Sequence, residues 1–526
     1  MVSPTLSDPI ARVASVAVGG PLGRHARTGA SWWTPLRVVL AVATVVFGLG
    51  VVQKSPCVVE SWSEVASPKA FSHLCYTDIP YLYVDRGLAE GFVPYEPPSD
   101  LPFVKQPVTA QAEDALTIEY PVLTGAWMGV AALVTHALGT SPDLADLPHA
   151  SVGSIAGVQH DSAVFWCVNA VGFFLVLLIG LALLVRAQPR RPWDAMFVAA
   201  SPSLALAATI NWDLVAFGWV AAMFWAWSTR RPVLTGVFIG LGAATKLYQL
   251  FLLGPLLVLC WRERKLDAMK RTALAAAVAW LVVDLPIYVW SPHAFLWFWK
   301  FNASRGPDYG SLWLVWANYS GDYASPHTIN VTTWLVFGGS CLAIAALGLL
   351  APRRPRLPQL MLLVVVAFLL VNKVYSPQYV LWLLPLAALA RPRWRDLMIW
   401  QACEIFYFFA IWMHIANFFV DPDHYDWPYG LAVMLRIGGE LYLAALVVRD
   451  IYLPWYDPVR ADGLSDDPVG GVLDEGIDSS AGGRRWPGYD RADAADEPGV
   501  SDGAGGTSPE RLSGPGGPPE RDPLYS

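Results

Sequence analysis

Charged residues are scarce in this chain. Only 15% of its 526 residues are charged, whereas 55% are hydrophobic and the mean hydropathy is +0.40. This composition excludes an ordinary soluble domain and predicts an all-α polytopic membrane protein. The formal charge of -7 arises near the C-terminus, where the stretch from Asp457 to Ser526 holds fifteen acidic and six basic residues. No basic surface that would bind nucleic acid is expected.

Cysteine is also scarce. The six cysteines show no spacing typical of a zinc, haem or iron–sulfur site. The sequence also shows no clear carboxylate triad, and we expect neither an essential metal nor another cofactor. Cys57 and Cys75 lie in the first loop, where a disulfide and two unpaired small residues are equally compatible with the sequence. The other four lie within or at the ends of apolar segments: Cys167, Cys260, Cys341 and Cys403.

Apolar runs are abundant and predict about twelve transmembrane helices. The predicted spans cover residues 37–53, 163–185, 194–210, 212–229, 233–245, 247–261, 272–290, 330–351, 358–372, 378–390, 397–418 and 428–448. The 36 residues before the first span lack a small-residue cleavage site close to a short apolar core. We therefore predict that this span is an uncleaved signal anchor.

Basic residues are concentrated in every second connection between these spans. They are Arg186, Arg190, Arg191, Arg230, Arg231, Arg262, Arg264, Lys265, Lys270, Arg271, Arg353, Arg354, Arg356, Arg391, Arg393, Arg395 and Arg449. The positive-inside rule places these connections and both termini in the cytoplasm of a plasma-membrane protein. The first loop, residues 54–162, then lies outside, and ten carboxylates face four cations between Lys54 and Glu119.

One apolar run breaks this alternation. If Val122 to Leu138 crossed the membrane, the cluster from Arg186 to Arg191 would lie outside. We therefore predict a re-entrant or juxtamembrane helix on the outer side. A true span with inverted downstream topology is the alternative.

The chain divides into three predicted regions. Residues 1–36 form a cytoplasmic segment, residues 37–449 form the transmembrane domain, and residues 450–526 form an acidic cytoplasmic tail. From Asp457 onward the tail is rich in Gly, Pro, Asp, Ser and Arg and nearly devoid of aliphatic residues. Such a composition cannot bury a core and predicts disorder.

Asp78 is the first candidate for chemistry. It precedes a helix-compatible stretch, where an aspartate is most often an N-cap. The alternative is a general base, because nearby aromatic residues would desolvate its carboxylate and raise its pKa. Asp85 and Arg86 either form a solvated ion pair or contact substrate. Glu119 fits an ordinary helix start or a carboxylate that binds an acceptor.

Four charged residues interrupt the apolar segments on the predicted outer side: Asp213, Lys246, Arg305 and Lys373. Ionisable groups at membrane depth are costly and are usually functional. Lys246 and Lys373 each stand at the outer turn of a hairpin, against the positive-inside trend, which favours recognition of an anionic group such as a lipid phosphate. For either lysine alone, snorkelling of the side chain to the interface explains the position equally well.

The connection covering residues 291–328 is rich in tryptophan. Interfacial tryptophan usually forms an aromatic belt, but aromatic surfaces also stack on sugars, so this connection is a candidate lid. His293 and His327 lie in it and are further candidates for substrate binding. A single interfacial histidine, however, is more often structural.

Five short segments together resemble a known family. They are Tyr76-Thr77-Asp78, Glu119-Tyr120-Pro121, Asn211-Trp212-Asp213, Thr245-Lys246-Leu247-Tyr248 and Lys373-Val374-Tyr375-Ser376-Pro377-Gln378-Tyr379. In their order and external placement they resemble the membrane-embedded, polyprenyl-phosphate-sugar-dependent glycosyltransferases of the glycosyltransferase C superfamily. The chain looks most similar to glycosyltransferase family 87, which includes actinobacterial mannosyl- and arabinosyltransferases. The resemblance runs from about Arg37 to Arg449, and the tail beyond Asp457 has no counterpart in it.

The resemblance implies a glycosyltransferase C-type fold and an inverting transferase. A hexosyl or pentosyl unit, with mannose the first choice, would move from a polyprenyl phosphate to a cell-envelope glycolipid or polysaccharide at the outer face. Asp78 becomes the general base and the outer cations become ligands of the donor phosphate. Tyr120, Tyr375 and Gln378 join the candidates above as substrate-binding residues.

A transporter or flippase for a lipid-linked or anionic envelope precursor is the alternative function. Twelve spans and intramembrane charges suit it as well. The charged residues nevertheless gather on the external side, whereas alternating access needs a site near the midplane that opens to both faces.

The predicted topology can be tested by cysteine labelling. We expect Pro189→Cys to react with a membrane-impermeant maleimide only after cells are permeabilised, because it lies in a cytoplasmic arginine cluster. Ser99→Cys, in the loop predicted outside, is the positive control. Labelling of Pro189→Cys in intact cells above the wild-type background would contradict the topology.

Overall fold

A computed structural model gives the fold of the protein. It describes residues 8–10, 13, 32–59, 68–96, 116–144, 147–419, 426–461 and 466–473. Within these ranges all regular structure is helical, which confirms the all-α prediction.

The described ranges contain nineteen α-helices. They are α1 (Pro35–Val59), α2 (Pro68–Ser72), α3 (Asp78–Asp85), α4 (Val122–Leu138), α5 (His149–Val152), α6 (Ala156–Ala187), α7 (Met196–Ala199), α8 (Pro202–Ala207), α9 (Asp213–Ser228), α10 (Pro232–Ala243), α11 (Leu253–Arg262), α12 (Leu266–Trp290), α13 (Pro292–Ser304), α14 (Leu312–Ser320), α15 (Pro326–Leu350), α16 (Leu357–Val371), α17 (Val380–Ala390), α18 (Trp394–Ile415) and α19 (Trp427–Tyr452). Short 3₁₀ turns at Leu247–Leu252 and Pro377–Tyr379 lead into α11 and α17.

Six of these helices are long and apolar enough to cross a membrane: α1, α6, α12, α15, α18 and α19. Shorter apolar helices lie among them at Val122–Leu138, Asp213–Ser228, Pro232–Ala243, Leu247–Arg262, Leu357–Val371 and Pro377–Ala390. Each coincides with an apolar run of the sequence. The protein is therefore a membrane protein, and the full number of crossings stays a prediction.

The predicted span at residues 194–210 is not a single helix. It consists of a 3₁₀ turn at Pro192–Ala195 followed by α7 and α8. Ser201 is extended, with a ψ of 126°, and Pro202 begins α8. The break has a local cause, because proline lacks an N–H for a continuous helix and disfavours helical geometry in the residue before it.

The helix bundle has two chemically different ends. One group of connections between helices surrounds a single cavity, and another group is joined by hydrogen bonds and ion pairs of clustered arginines. One end, called here the site end, carries residues 209–213, 244–247 and 372–378. The other, called the arginine end, carries most of the clustered arginines, for example Arg191 and Arg391.

Helix α4 packs beside the site end. At its beginning, Leu123 N donates to the carbonyl oxygen of Ala244 at 2.8 Å, and the Thr124 hydroxyl donates to that of Thr245 at 2.7 Å. Just after its last turn, Thr140 N donates to the Asp161 carboxylate, in the first turns of α6, at 2.7 Å. The beginning of α4 is thus held by the connection between α10 and α11, and its end is held by the beginning of α6.

The beginning of the predicted tail is folded. Asp457, Val459 and Asp467 are buried, and Leu473 lies in a 3₁₀ turn that is also buried. The described part of the segment after Asp457 is therefore ordered, contrary to the disorder predicted there: few aliphatic side chains are needed, since buried ion pairs and a few apolar contacts hold it. Residues 1–7 and 474–526, which include most of the predicted terminal segments, lie outside the described residues.

Buried ion pairs connect this segment to the arginine end. Arg356 donates from Nε and Nη2 to the two carboxylate oxygens of Asp457 at 2.7 and 2.9 Å, and both side chains are buried. Gln359 adds a hydrogen bond to Asp457 at 3.2 Å. Removing one partner from such a pair leaves the other charge buried and uncompensated.

We expect Asp457→Asn to lower the free energy of unfolding by about 3–5 kcal/mol, because Arg356 would lose its counter-charge. The measurement is thermal or denaturant unfolding of the detergent-solubilised protein. Asp267→Asn is the matched control, since Asp267 and its partner Lys270 are 89% and 78% exposed. An equal melting temperature for Asp457→Asn and the control would contradict the structural role of the pair.

Candidate functional site

A cavity of about 710 Å³ opens at the site end. It lies between α3, the segment 209–211, the turn at 246–251, the connection 298–309 and the segment 372–382. Eight of the predicted site residues line it: Asp78, Arg86, Glu119, Tyr120, Lys246, Arg305, Lys373 and Gln378. Residues far apart in the sequence therefore share one chamber.

The chain positions Asp78 by fixing the backbone on both sides of it. Thr77 is the N-cap of α3, and its hydroxyl accepts a hydrogen bond from Ile79 N at 3.3 Å. The same hydroxyl donates to the carbonyl oxygen of Thr209 at 2.7 Å, and Asp78 N donates to that of Ile210 at 2.9 Å. Capping thus belongs to Thr77, which leaves the Asp78 carboxylate available to the cavity.

The Asp78 carboxylate sits in a partly desolvated, hydrogen-bonded environment. Asn211 donates to its Oδ2 at 2.8 Å, and the Tyr76 hydroxyl is a second donor. Burial raises the pKa of Asp78 to about 6; the two hydrogen bonds oppose this shift, and the nearby Asp213 adds to it. A carboxylate with such a pKa is mostly ionised at neutral pH and is still basic enough to take a proton.

Lys246 faces the cavity and forms an ion pair with Asp213, which is buried behind the cavity wall. Its Nζ lies 3.2 Å from Asp213 Oδ1, which also accepts a hydrogen bond from Trp382 Nε1 at 2.7 Å. The ammonium group lies 5.0 Å from the centre of the Tyr120 ring. Asp213 is fully buried, so it holds Lys246 in place from behind the cavity wall.

Three aromatic rings form a continuous stack at this wall. The Tyr248 and Trp382 rings are stacked at 4.2 Å, and the Trp382 and Tyr379 rings at 4.0 Å. Lys246 lies 6.0 Å from the centre of the Tyr379 ring. The stack fixes the plane of the Trp382 indole and therefore the direction of its hydrogen bond to Asp213.

Lys373 is bound by oxygen atoms of the protein. Its Nζ donates to the carbonyl oxygen of Arg305 at 2.9 Å and to Asn330 Oδ1 at 2.7 Å. Asp308 N donates to the carbonyl oxygen of Lys373 at 2.8 Å, so the two connections are joined in both directions. Burial and the neighbouring Arg305 lower the pKa of Lys373 to about 8. Lys373 thus anchors the segment that carries Arg305.

Arg86 and Glu119 form a second charged wall of the cavity. Arg86 donates from Nε and Nη2 to the two oxygens of Glu119 at 2.8 and 3.0 Å, and it also pairs with Asp85. A bidentate arginine–carboxylate pair has a fixed geometry. The wall offers both donors and acceptors to a polar ligand.

An apolar arm of the cavity is formed by the 3₁₀ turn at Leu247–Leu252, α15 and α16. It is lined by Phe251, Thr333, Trp334 and Phe368. The Phe251 ring lies 4.8 Å from the Phe368 ring, and Trp334 is 57% exposed on the outer face of α15. Since Trp334 borders both the cavity and the outer face, the cavity reaches the side of the bundle that is suited to contact lipid.

Five predicted site residues do not line the cavity. Asp213 supports Lys246 from behind, Asp85 pairs with Arg86, and the Tyr375 hydroxyl contacts the buried Glu440. His293 and His327 lie exposed in the first turns of α13 and α15. Neither histidine lines the cavity, so their prediction as substrate-binding residues finds no geometric support.

Sequence reasoning missed several residues that line the cavity. Asn211 was visible beside Asp213 in the Asn-Trp-Asp motif, but its hydrogen bond to Asp78 was not foreseen. No sequence pattern indicated that Asn330 belongs to the site, because it is an isolated polar residue near the start of an apolar helix. Within the described ranges no three His, Cys, Asp or Glu side chains converge in a way that could hold a metal ion, and metal-free chemistry stays a prediction.

A family comparison covers much of this site. The model of glycosyltransferase family 87 matches residues 150–372, a range that includes Asn211, Asp213, Lys246 and Arg305 and follows Asp78 in the sequence. No curated protein matches the chain. The match and the helical membrane fold agree with the resemblance found in the sequence. The match to residues 150–372 supports a membrane glycosyltransferase of family 87.

Proposed function

We propose that this enzyme transfers a sugar from a polyprenyl-phosphate donor to a hydroxyl group of an envelope glycolipid or polysaccharide, with inversion at the anomeric carbon. The observation that carries the proposal is the shared cavity: it holds one carboxylate of raised pKa, Asp78, together with the cationic side chains of Lys246 and Arg305. Acid–base chemistry and anion binding therefore meet in one chamber.

Asp78 acts as the general base. The acceptor O–H bond breaks and its proton moves to the Asp78 carboxylate while the acceptor oxygen forms a bond to the anomeric carbon. The bond between that carbon and the phosphate oxygen breaks, and its electron pair leaves with the polyprenyl phosphate. Asn211 and Tyr76 orient the carboxylate through their hydrogen bonds.

The side chains of Lys246 and Arg305 bind the phosphate of the donor. Lys246 is held by Asp213 and the Arg305 guanidinium by Asp308, while Lys373 holds the backbone that carries Arg305, so both positive groups are in place before a ligand arrives. Charges that are fixed in advance stabilise negative charge on a leaving group without a cost of rearrangement.

The apolar arm suits the isoprenoid part of the donor. Phe251, Phe368 and Trp334 offer apolar surface that leads from the cavity to the outer face of α15. A phosphate bound near Asn330 and Lys373 would have its lipid chain pointing along this arm, because Asn330 precedes Trp334 by about one helical turn.

The distribution of charge in the sequence supports two further features of the proposal: the site end faces the outside of the plasma membrane, and both termini are cytoplasmic. Mannose is the first choice for the transferred sugar because of the resemblance to family 87. The family match favours a transferase over the transporter that the sequence also allowed.

We expect Asp78→Asn to fold and to bind the donor but to lose transfer by about 10²-fold or more, because it keeps the shape of the side chain and lacks its basicity. The measurement is transfer from polyprenyl-phosphate mannose to octyl α-mannoside in proteoliposomes, beside donor binding. Asp85→Asn and Glu119→Gln, which make similar changes of charge nearby, are expected to retain more activity. Near-normal transfer by Asp78→Asn would remove it as the base.

We expect Lys246→Ala and Lys373→Ala to reduce kcat/KM for the lipid-linked donor by about 10²-fold, because each loses or misplaces a charge that stabilises the leaving phosphate. Lys300→Ala is the control, since Lys300 is an exposed lysine that does not line the cavity. Wild-type donor kinetics in both cavity variants would refute the phosphate assignment. Loss of folded protein, measured by size-exclusion chromatography, would assign the lysines to structure instead.

A further inference from the structure

The last turns of α1 hold the segment that leads to Asp78. Lys54 Nζ donates to the carbonyl oxygen of Tyr76 at 2.8 Å and lies 3.5 Å from that of Leu74. The neighbouring Gln53 donates a hydrogen bond to the same Leu74 oxygen. Backbone oxygens just before Asp78 are thus fixed by two side chains of one helical turn.

A covalent bond reinforces this contact. Cys57, one turn after Lys54, forms a disulfide with Cys75, and their Cα atoms are 5.7 Å apart. The sequence had left this pairing open. Residues 74–76 are therefore tied to α1 by hydrogen bonds on one side and by a disulfide on the other.

Lys54 is an unusual residue for this position. Its side chain is fully buried, and among the described residues no carboxylate lies within ion-pair distance of it. Its ammonium group lies 5.3 Å from the centre of the Phe408 ring of α18. A buried cation is costly and is usually kept for a function. The carboxylate with which it interacts electrostatically is Asp78.

Other charged and titratable groups also face Asp78. They are Tyr76, Tyr120, Asp213, Lys246 and Tyr379. Among these, Lys246 is already paired with Asp213. Lys54 is the cation whose charge is not offset by an adjacent carboxylate in the described structure.

We propose that Lys54 is a positioning residue for Asp78: it fixes residues 74–76 and supplies the positive charge that favours the ionised carboxylate. The Cys57–Cys75 disulfide is the uncharged part of the same clamp. This inference rests on the proposed role of Asp78 as the base.

The clamp makes two separable contributions, and two kinds of variant isolate them. Lys54→Met removes the charge and the hydrogen bonds, and Lys54→Gln removes the charge but keeps a donor. Cys57→Ala with Cys75→Ala releases the segment without changing charge. Lys270→Met, at an exposed lysine of the arginine end, controls for loss of a cation.

The test is the pH dependence of kcat/KM in the proteoliposome assay with polyprenyl-phosphate mannose and octyl α-mannoside. In the wild type we expect the rate to fall as the pH drops through about 6, where Asp78 becomes protonated. In Lys54→Met and Lys54→Gln this acidic limb should move to higher pH by about half a unit or more, because loss of a nearby positive charge favours the neutral acid. A limb that stays at the wild-type pH in both variants would overturn the proposal.

The cysteine variant should behave differently. We expect kcat to fall about tenfold because the base is less well oriented, while the acidic limb stays near its wild-type position because no charge is lost. Reduction of the folded wild-type protein should have the same effect, so the result does not depend on folding of the variant. Full activity after complete reduction would exclude the disulfide from the clamp.

Hydrogen exchange gives a readout that is independent of transfer. Amides of residues 74–78 should exchange faster in Lys54→Met and after reduction than in Lys270→Met. If the wild type transfers no sugar but exchange rises as expected, the proposed function fails and the clamp stands. If transfer is present and neither exchange nor the acidic limb changes, the clamp alone fails.

Discussion

The cost of burying charge governs the arrangement of this protein. Lys246 would be expensive at its depth in the bundle, and Asp213 offsets that cost from behind the cavity wall. The cost of burying the Lys373 ammonium group is offset differently, by hydrogen bonds to carbonyl and amide oxygens. The groups that pair with or hydrogen-bond to the lysines also fix their positions. A cavity built in this way holds its charges still, which is what stabilisation of a leaving group requires.

The same constraint acts at the opposite end with a different result. Arg356 and Asp457 are both buried, and their pair joins the helix bundle to a segment with few apolar side chains of its own. Arg391 is likewise enclosed by Asp396 and Asp450. The arginine end is thus closed by ion pairs that hold structure together, whereas the site end keeps charges beside an open cavity. A buried charge alone does not mark a functional site. A functional site also needs an adjacent cavity that can admit a ligand.

Much of this could be predicted from the sequence, because apolar runs and isolated charges are local signals. The apolar runs predicted the helices. Asp78, Lys246 and Lys373 could be identified because carboxylates and lysines are rare beside apolar segments. Contacts between distant residues left no such signal. Asn211 bonds to Asp78 across 133 positions, and an asparagine near a helix can also serve as a simple cap. The fold of the segment after Asp457 was missed for the same reason, since its stability comes from partners about a hundred residues earlier in the chain.

The exposed edge of Trp334 has a consequence for how the enzyme meets its donor. If the donor is lipid-linked, as proposed, a cavity bordered by the exposed Trp334 of α15 would exchange it sideways with the surrounding lipid rather than with bulk water. For such a ligand the relevant concentration is a mole fraction within the bilayer, counted per unit area. Encounter then becomes a two-dimensional search, and dilution of the membrane with other lipids slows it even when the amount of donor per volume is constant.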